Sequence, residues 1–128
     1  MAGELLFSII ESPQHPNFSG LYVRAGIREL KPKSVRDAIK QLRKHRPDYL
    51  VADFVFGYGN NYAGANVCNL DVLLSSLQKY SPAARVIVLV QKEELQYVDR
   101  LRSRFPLHRV LVYPVTEGQM LEALGKRS

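Results

Sequence analysis

Two apolar runs constrain this chain more than any other feature. Residues 49–52 (Tyr-Leu-Val-Ala) and 86–90 (Val-Ile-Val-Leu-Val) are apolar at every position, with no alternation. A strand wetted on one face alternates; a strand covered on both faces does not. Each run follows a proline break, Pro47-Asp48 or Ser81-Pro82. Between the runs, Leu70, Leu73, Leu74 and Leu77 recur at helical spacing. Strand, helix, strand, with the strands buried on both faces, specifies a parallel sheet with right-handed crossovers.

The same alternation continues on either side. Ser34 opens a helix whose Val35, Ala38, Ile39 and Leu42 fall at i, i+3, i+4 and i+7, with Ser34 and Asp37 placed as a capping box. Arg36, Lys40, Arg43 and Lys44 project from the opposite side as a basic face, and Pro47 stops the helix. Lys92 begins another helix, with Leu95, Val98, Leu101 and Phe105 facing inward and Pro106 ending it. A last strand over 110–113 leads to Thr116 and Gln119, a second capping-box pair, then to an apolar face of Met120, Leu121 and Leu124, with Gly125 as the helix stop. Toward the N-terminus, residues 5–10 read as a buried strand. Residues 11–20, with two prolines, read as a loop. Residues 21–27 read as a second strand, although Val23, Ile27 and Leu30 also share one helical face. The total is five strands in one domain spanning 1–128.

Composition narrows the function classes. A length of 128 residues with 46% hydrophobic and 23% charged content fits one globular domain. No apolar run approaches bilayer length, and no basic residue precedes the first one, so neither a membrane span nor a secretory signal is expected. One cysteine excludes an internal disulfide and fits a reducing, cytoplasmic setting. The net charge of +6 is concentrated: residues 1–46 hold nine Lys and Arg against four Asp and Glu, residues 47–128 nine against eight. His15, His45 and His108 have no ligand spacing with Cys68, so surface histidines and an inert cysteine are expected, and no metal site. The glycines at 57, 59 and 64 do not have dinucleotide-fingerprint spacing, and there is no phosphate-binding loop, nucleophile elbow or triad. No enzyme activity is expected.

The segment Arg46-Pro-Asp-Tyr-Leu-Val-Ala-Asp53, the leucine helix at 70–77, the strand at 84–90 and the stretch Tyr113-Pro-Val-Thr-Glu-Gly-Gln-Met-Leu-Glu-Ala-Leu124 together resemble the receiver domain of bacterial response regulators. The resemblance runs from about residue 21 to residue 124. It implies a flavodoxin-like α/β fold with sheet order 2-1-3-4-5, here with the first helix reduced or missing. It also implies that Asp53, ending the third strand, occupies the position that takes a phosphoryl group from a histidine kinase. In that family an acidic pair after the first strand holds Mg²⁺, a Ser or Thr follows the fourth strand, and a lysine ends the fifth. This chain offers Glu11 alone, Val90 and Tyr113 at those places.

The expectation is therefore a degenerate receiver, a protein–protein interaction module in bacterial signalling that works without the phosphorylation switch. No cofactor is expected, with Mg²⁺ entering only if Asp53 is phosphorylated. Tyr58, Asn60, Asn61 and Tyr62 in the long loop at 57–66 are the expected contact residues. Resemblance further suggests a homodimer through residues 93–124, and neither a membrane nor nucleic acid is expected as partner. Two alternatives stay open: an active phosphoacceptor using Asp53, and a small-molecule or nucleotide-binding domain using the Gly/Asn loop.

Overall fold

The computed structural model describes residues 3–56 and 68–126. Its elements are β1 (Glu4–Ile9), α1 (Ser19–Arg24), β2 (Ile27–Leu30), α2 (Val35–Leu42), β3 (Tyr49–Asp53), α3 (Asp71–Tyr80), β4 (Arg85–Val90), α4 (Leu95–Arg102), β5 (Arg109–Val112) and α5 (Glu117–Ala123). All neighbouring strands pair in parallel, in the order β2-β1-β3-β4-β5. This is the flavodoxin-like order.

The unbroken apolar runs explain the layering. Successive strand residues point to opposite faces. Leu50, Ala52, Val86, Val88 and Val90 pack into the core under α2, α3 and α4, while Tyr49, Val51, Ile87 and Leu89 pack into the core under α1 and α5. At about 1.5–3 kcal/mol for each fully buried aliphatic side chain, these two cores are the main driving force of the fold.

Two expectations are corrected here. Residues 21–27 are not a strand: Ser19–Arg24 is helical and β2 begins at Ile27. The deciding face is Phe18, Leu21 and Tyr22, at i, i+3 and i+4 and all buried, whereas Val23 is 75% exposed. Gly26, at φ +75, turns the chain from this short helix into β2. The first helix is thus reduced to six residues and not lost. The second correction concerns the helix at Lys92. Residues Lys92–Glu94 form a single 3₁₀ turn before α4, and Leu95 is 42% exposed, so it does not face inward.

The caps behave as read, with one half-exception. Thr116 and Gln119 form a reciprocal capping box. Ser34 accepts from the Asp37 N–H, but the Asp37 carboxylate accepts from the Lys33 N–H, one residue outside the box. After α5, Gly125 sits at φ +75, and the Gly125 and Lys126 N–H groups donate to the carbonyls of Glu122 and Leu121. That is a Schellman stop.

Beyond β3 the chain is pinned at a neck. Asn69 Nδ2 donates to the Asp53 carbonyl at 2.9 Å, and Asn69 Oδ1 accepts from the Val55 N–H at 2.9 Å. Phe56 and Cys68 form an antiparallel bridge, and Phe56 stacks on Tyr97 with ring centroids 3.8 Å apart. The neck fixes where β3 ends and therefore where Asp53 stands. Asn69→Ala removes both side-chain bonds and leaves buried backbone groups unpaired, so a loss of about 2–3 kcal/mol is expected in chemical denaturation. Asn69→Asp keeps an acceptor for Val55 and loses the donor to Asp53, so it should fall between Asn69→Ala and the wild type.

Candidate functional site

In open α/β sheets, side chains with chemistry gather beyond the carboxyl ends of the strands. Asp53 is the last residue of β3, between β1 and β4. Its neighbours are consequently the segment leaving β1, the residues leaving β4 and, one strand further, the end of β5. The first and third supply donors to its carboxylate, and the second ties the first in place.

Asp53 is 1% exposed. Its Oδ2 accepts from the backbone N–H groups of Glu11 at 2.7 Å and Ser12 at 2.9 Å. Its Oδ1 accepts from the Tyr113 hydroxyl. His15 Nδ1 lies 3.1 Å from Oδ2 and 3.2 Å from Oδ1. An ionised carboxylate only accepts, so His15 holds a proton on Nδ1 and donates it. Gln91, the residue after Val90, donates from Nε2 to Ser12 Oγ at 3.4 Å and to Gln14 Oε1, tying the segment from β1 to the end of β4.

The electrostatics follow from this geometry. Burial pushes the Asp53 carboxyl up, but the donors, His15 foremost, then Tyr113, Ser12 and Glu11, together outweigh it and hold the carboxyl below its ordinary value. Tyr113 is pushed well above the ordinary tyrosine range by burial, and then by its bond to the Asp53 carboxylate, so it stays a protonated donor. Glu11 is raised by burial and by the Asp53 charge.

Several expectations meet their outcome at this point. His15 was expected at the surface; its side chain is 2% exposed and bonded to Asp53, because the segment leaving β1 folds back over the end of β3. His108 is exposed as expected, and His45 is half-buried. Glu11 does reach Asp53, but through its backbone N–H. Val90 is fully buried in the sheet core. Tyr113, expected at the lysine place, donates its hydroxyl to Asp53 as a neutral group. Arg36 and Lys40 on α2, and Arg43 and Lys44 just past its C-terminus, are all exposed. Tyr58, Asn60, Asn61 and Tyr62 lie outside the described residues. Cys68 is buried, and burial pushes its thiol up to about 12, which leaves it unreactive.

Sequence reasoning missed His15 and Gln91. The available signal was topological. With β1 and β4 flanking β3, every donor in the first residues after those two strands was a candidate partner for Asp53.

Mg²⁺ does not fit this arrangement. Both Asp53 oxygens face N–H and O–H hydrogens, Glu11 is the sole second carboxylate nearby, and no three His, Cys, Asp or Glu side chains cluster to hold a metal among the described residues. The site can hold a carboxylate that is fully satisfied by the protein itself.

Two expected outcomes follow. Tyr113→Phe deletes a buried donor to a charged group and should cost about 1.5–3 kcal/mol in denaturant titrations. The pH dependence has a fixed sign. The folded-state pKa of Asp53 is depressed, so its stabilisation is fully present above the ordinary carboxyl value of 3.8 and is lost as pH falls through the lower folded value. Asp53→Asn does not titrate. It should therefore be less stable than wild type at neutral pH, with the gap narrowing below pH 3.8.

No protein-family model and no curated protein matches the chain. Solved structures do. A response regulator receiver domain protein from Clostridium thermocellum superposes with a TM-score of 0.71 at 18% identity, covering 96% of this chain and 91% of that one. A response regulator receiver protein from Sinorhizobium medicae gives 0.68 at 18%, covering 97% and 92%. The signal receiver domain of an HD domain-containing protein from Pseudomonas fluorescens gives 0.71 at 16%, covering 98% and 93%. The chain has the receiver fold of response regulators.

Proposed function

We propose that this chain is a receiver-fold interaction module whose phosphoacceptor position has been converted into a structural lock. The observation that carries the reading is the capping of Asp53 by the Glu11 and Ser12 N–H groups, His15 and Tyr113. A carboxylate attacks a phosphoryl donor in line, through an accessible oxygen lone pair, with cations to offset the phosphate charge. At 1% exposure, with both oxygens engaged, Asp53 lacks access. With Tyr113 in the lysine place and Val90 in the hydroxyl place, a phosphoryl group would lack partners. Phosphorylation would also take one carboxylate oxygen from the donors that hold the β1–α1 segment over the sheet.

The module then signals by what it binds, in one standing conformation, and its setting is a bacterial regulatory pathway. The receiver-like neighbours support this reading. Among the described residues no helix is long and apolar enough to cross a membrane.

Intact-mass measurement after incubation with acetyl phosphate and Mg²⁺ tests the lock. No mass gain is expected for the wild type. Gain of one phosphoryl in the wild type and none in Asp53→Asn would make the chain a working phosphoacceptor.

A further inference from the structure

We infer that the exposed face of α2 is a docking surface for an acidic helical segment of a partner protein. This deepens the interaction-module reading and rests on it.

Residues 24–46 carry nine Lys and Arg against two acids, Glu29 and Asp37, a larger excess than the +6 of the whole chain. Both acids are already committed within the domain. Glu29 accepts from the Ser8 and Ser19 hydroxyls, each at 2.6 Å, and Asp37 accepts from the Lys33 N–H. Arg36, Lys40, Arg43 and Lys44 are exposed, and among the described residues none of them forms an ion pair. By contrast, Arg24 at the start of that stretch, on α1, and Arg102, Arg104 and Lys126 elsewhere on the molecule each have a carboxylate within 3.3 Å.

The geometry makes a stripe of these charges. Arg36, Lys40 and Arg43 stand at i, i+4 and i+7, with Lys44 alongside, on the side away from buried Ala38 and Leu42. At 1.5 Å per residue the cations recur every ~4.5–6 Å over about 10 Å. Arg28 broadens the patch: it pairs with Leu5 in register, and Leu5 belongs to the core beneath α2, so exposed Arg28 lies on the α2 side of the edge strand. A helix carrying carboxylates at i, i+4 and i+7 repeats at the same interval and matches the stripe when laid beside it.

Two other anionic partners fit less well. Single-stranded nucleic acid is gripped by aromatic platforms between cations, and residues 25–48 contain no Phe, Tyr or Trp. A membrane surface calls for apolar side chains beside the cations, and the exposed large hydrophobics among the described residues are Ile10, Val23, Val72 and Leu95, none of them on α2.

The test uses a labelled alanine-rich helical peptide with Glu at i, i+4 and i+7, its Gln counterpart, and labelled oligo-dT, each titrated into the protein by fluorescence anisotropy. The Glu peptide should bind, the Gln peptide should not, and added salt should weaken the binding. Arg36→Gln/Lys40→Gln/Arg43→Gln should weaken it about tenfold, as loss of several charge pairs requires. Lys40→Gln/Lys44→Gln, a milder change, should weaken it less. Both variants should keep the wild-type circular dichroism. Absence of Glu-peptide binding, binding unaffected by these variants, or tighter binding of oligo-dT than of the Glu peptide would each overturn the assignment. Phosphorylation of Asp53 would refute the lock and leave this result unchanged, so the two readings fail separately.

Discussion

The carboxylate of Asp53 organises the end of this sheet. A buried charge is tolerated only when it is paired and hydrogen-bonded, since stripping its water costs several kcal/mol. Here the compensation comes from two separate segments, steadied by a third. The chain leaving β1 gives two N–H groups and His15, Tyr113, the residue after β5, gives its hydroxyl, and Gln91 after β4 holds the first of these in place. Each bond that satisfies Asp53 therefore also fixes a loop. Remove the carboxylate and the donors are stranded; move a loop and the carboxylate is stranded.

That mutual dependence is what favours the proposed lock over a switch. A switch needs two arrangements of similar free energy, so that a modest chemical change selects between them. A carboxylate with four donor groups has one strongly favoured arrangement. The neck below it adds to the bias, because Asn69 anchors the Asp53 carbonyl while the side chain is held from the other side. On that proposal, any binding surface of the domain is presented constantly. Preorganised surfaces of this kind avoid the ordering cost that a mobile one incurs.

Much of the fold was legible in the sequence, for a clear reason. The uninterrupted runs of β3 and β4 are too short for helices and are bounded by proline breaks, the leucine spacing of α3 fits a helical period, and a parallel α/β order follows from them. The region around α1 was harder. Six residues are too few to display a helical period, and Val23, a β-former that is 75% exposed, pulls the local reading toward a strand. Only the position of Phe18, Leu21 and Tyr22 against β1 and α5 decides it, and that is tertiary information.

The contacts of the site were not legible in the sequence. The missing acidic pair, hydroxyl and lysine are expectations drawn from resemblance. What fills the space could not be drawn from it. A backbone N–H has no signature in sequence, and His15 sits in a proline-flanked stretch that looks solvated. Tyr113 could be read as uncharged, but its hydroxyl bond to a residue sixty positions away depends on β4 lying between β3 and β5.

The most direct measurement is NMR detection of scalar coupling across the hydrogen bonds from the Glu11 and Ser12 amides to the Asp53 side-chain carboxyl carbon. A locked carboxylate requires cross-peaks from both amides, strong protection of both from solvent exchange, and an Asp53 carboxyl that titrates below its ordinary 3.8. Absent cross-peaks, fast exchange at both amides and titration at the ordinary value would mean that Asp53 is open to solvent and to a phosphoryl donor.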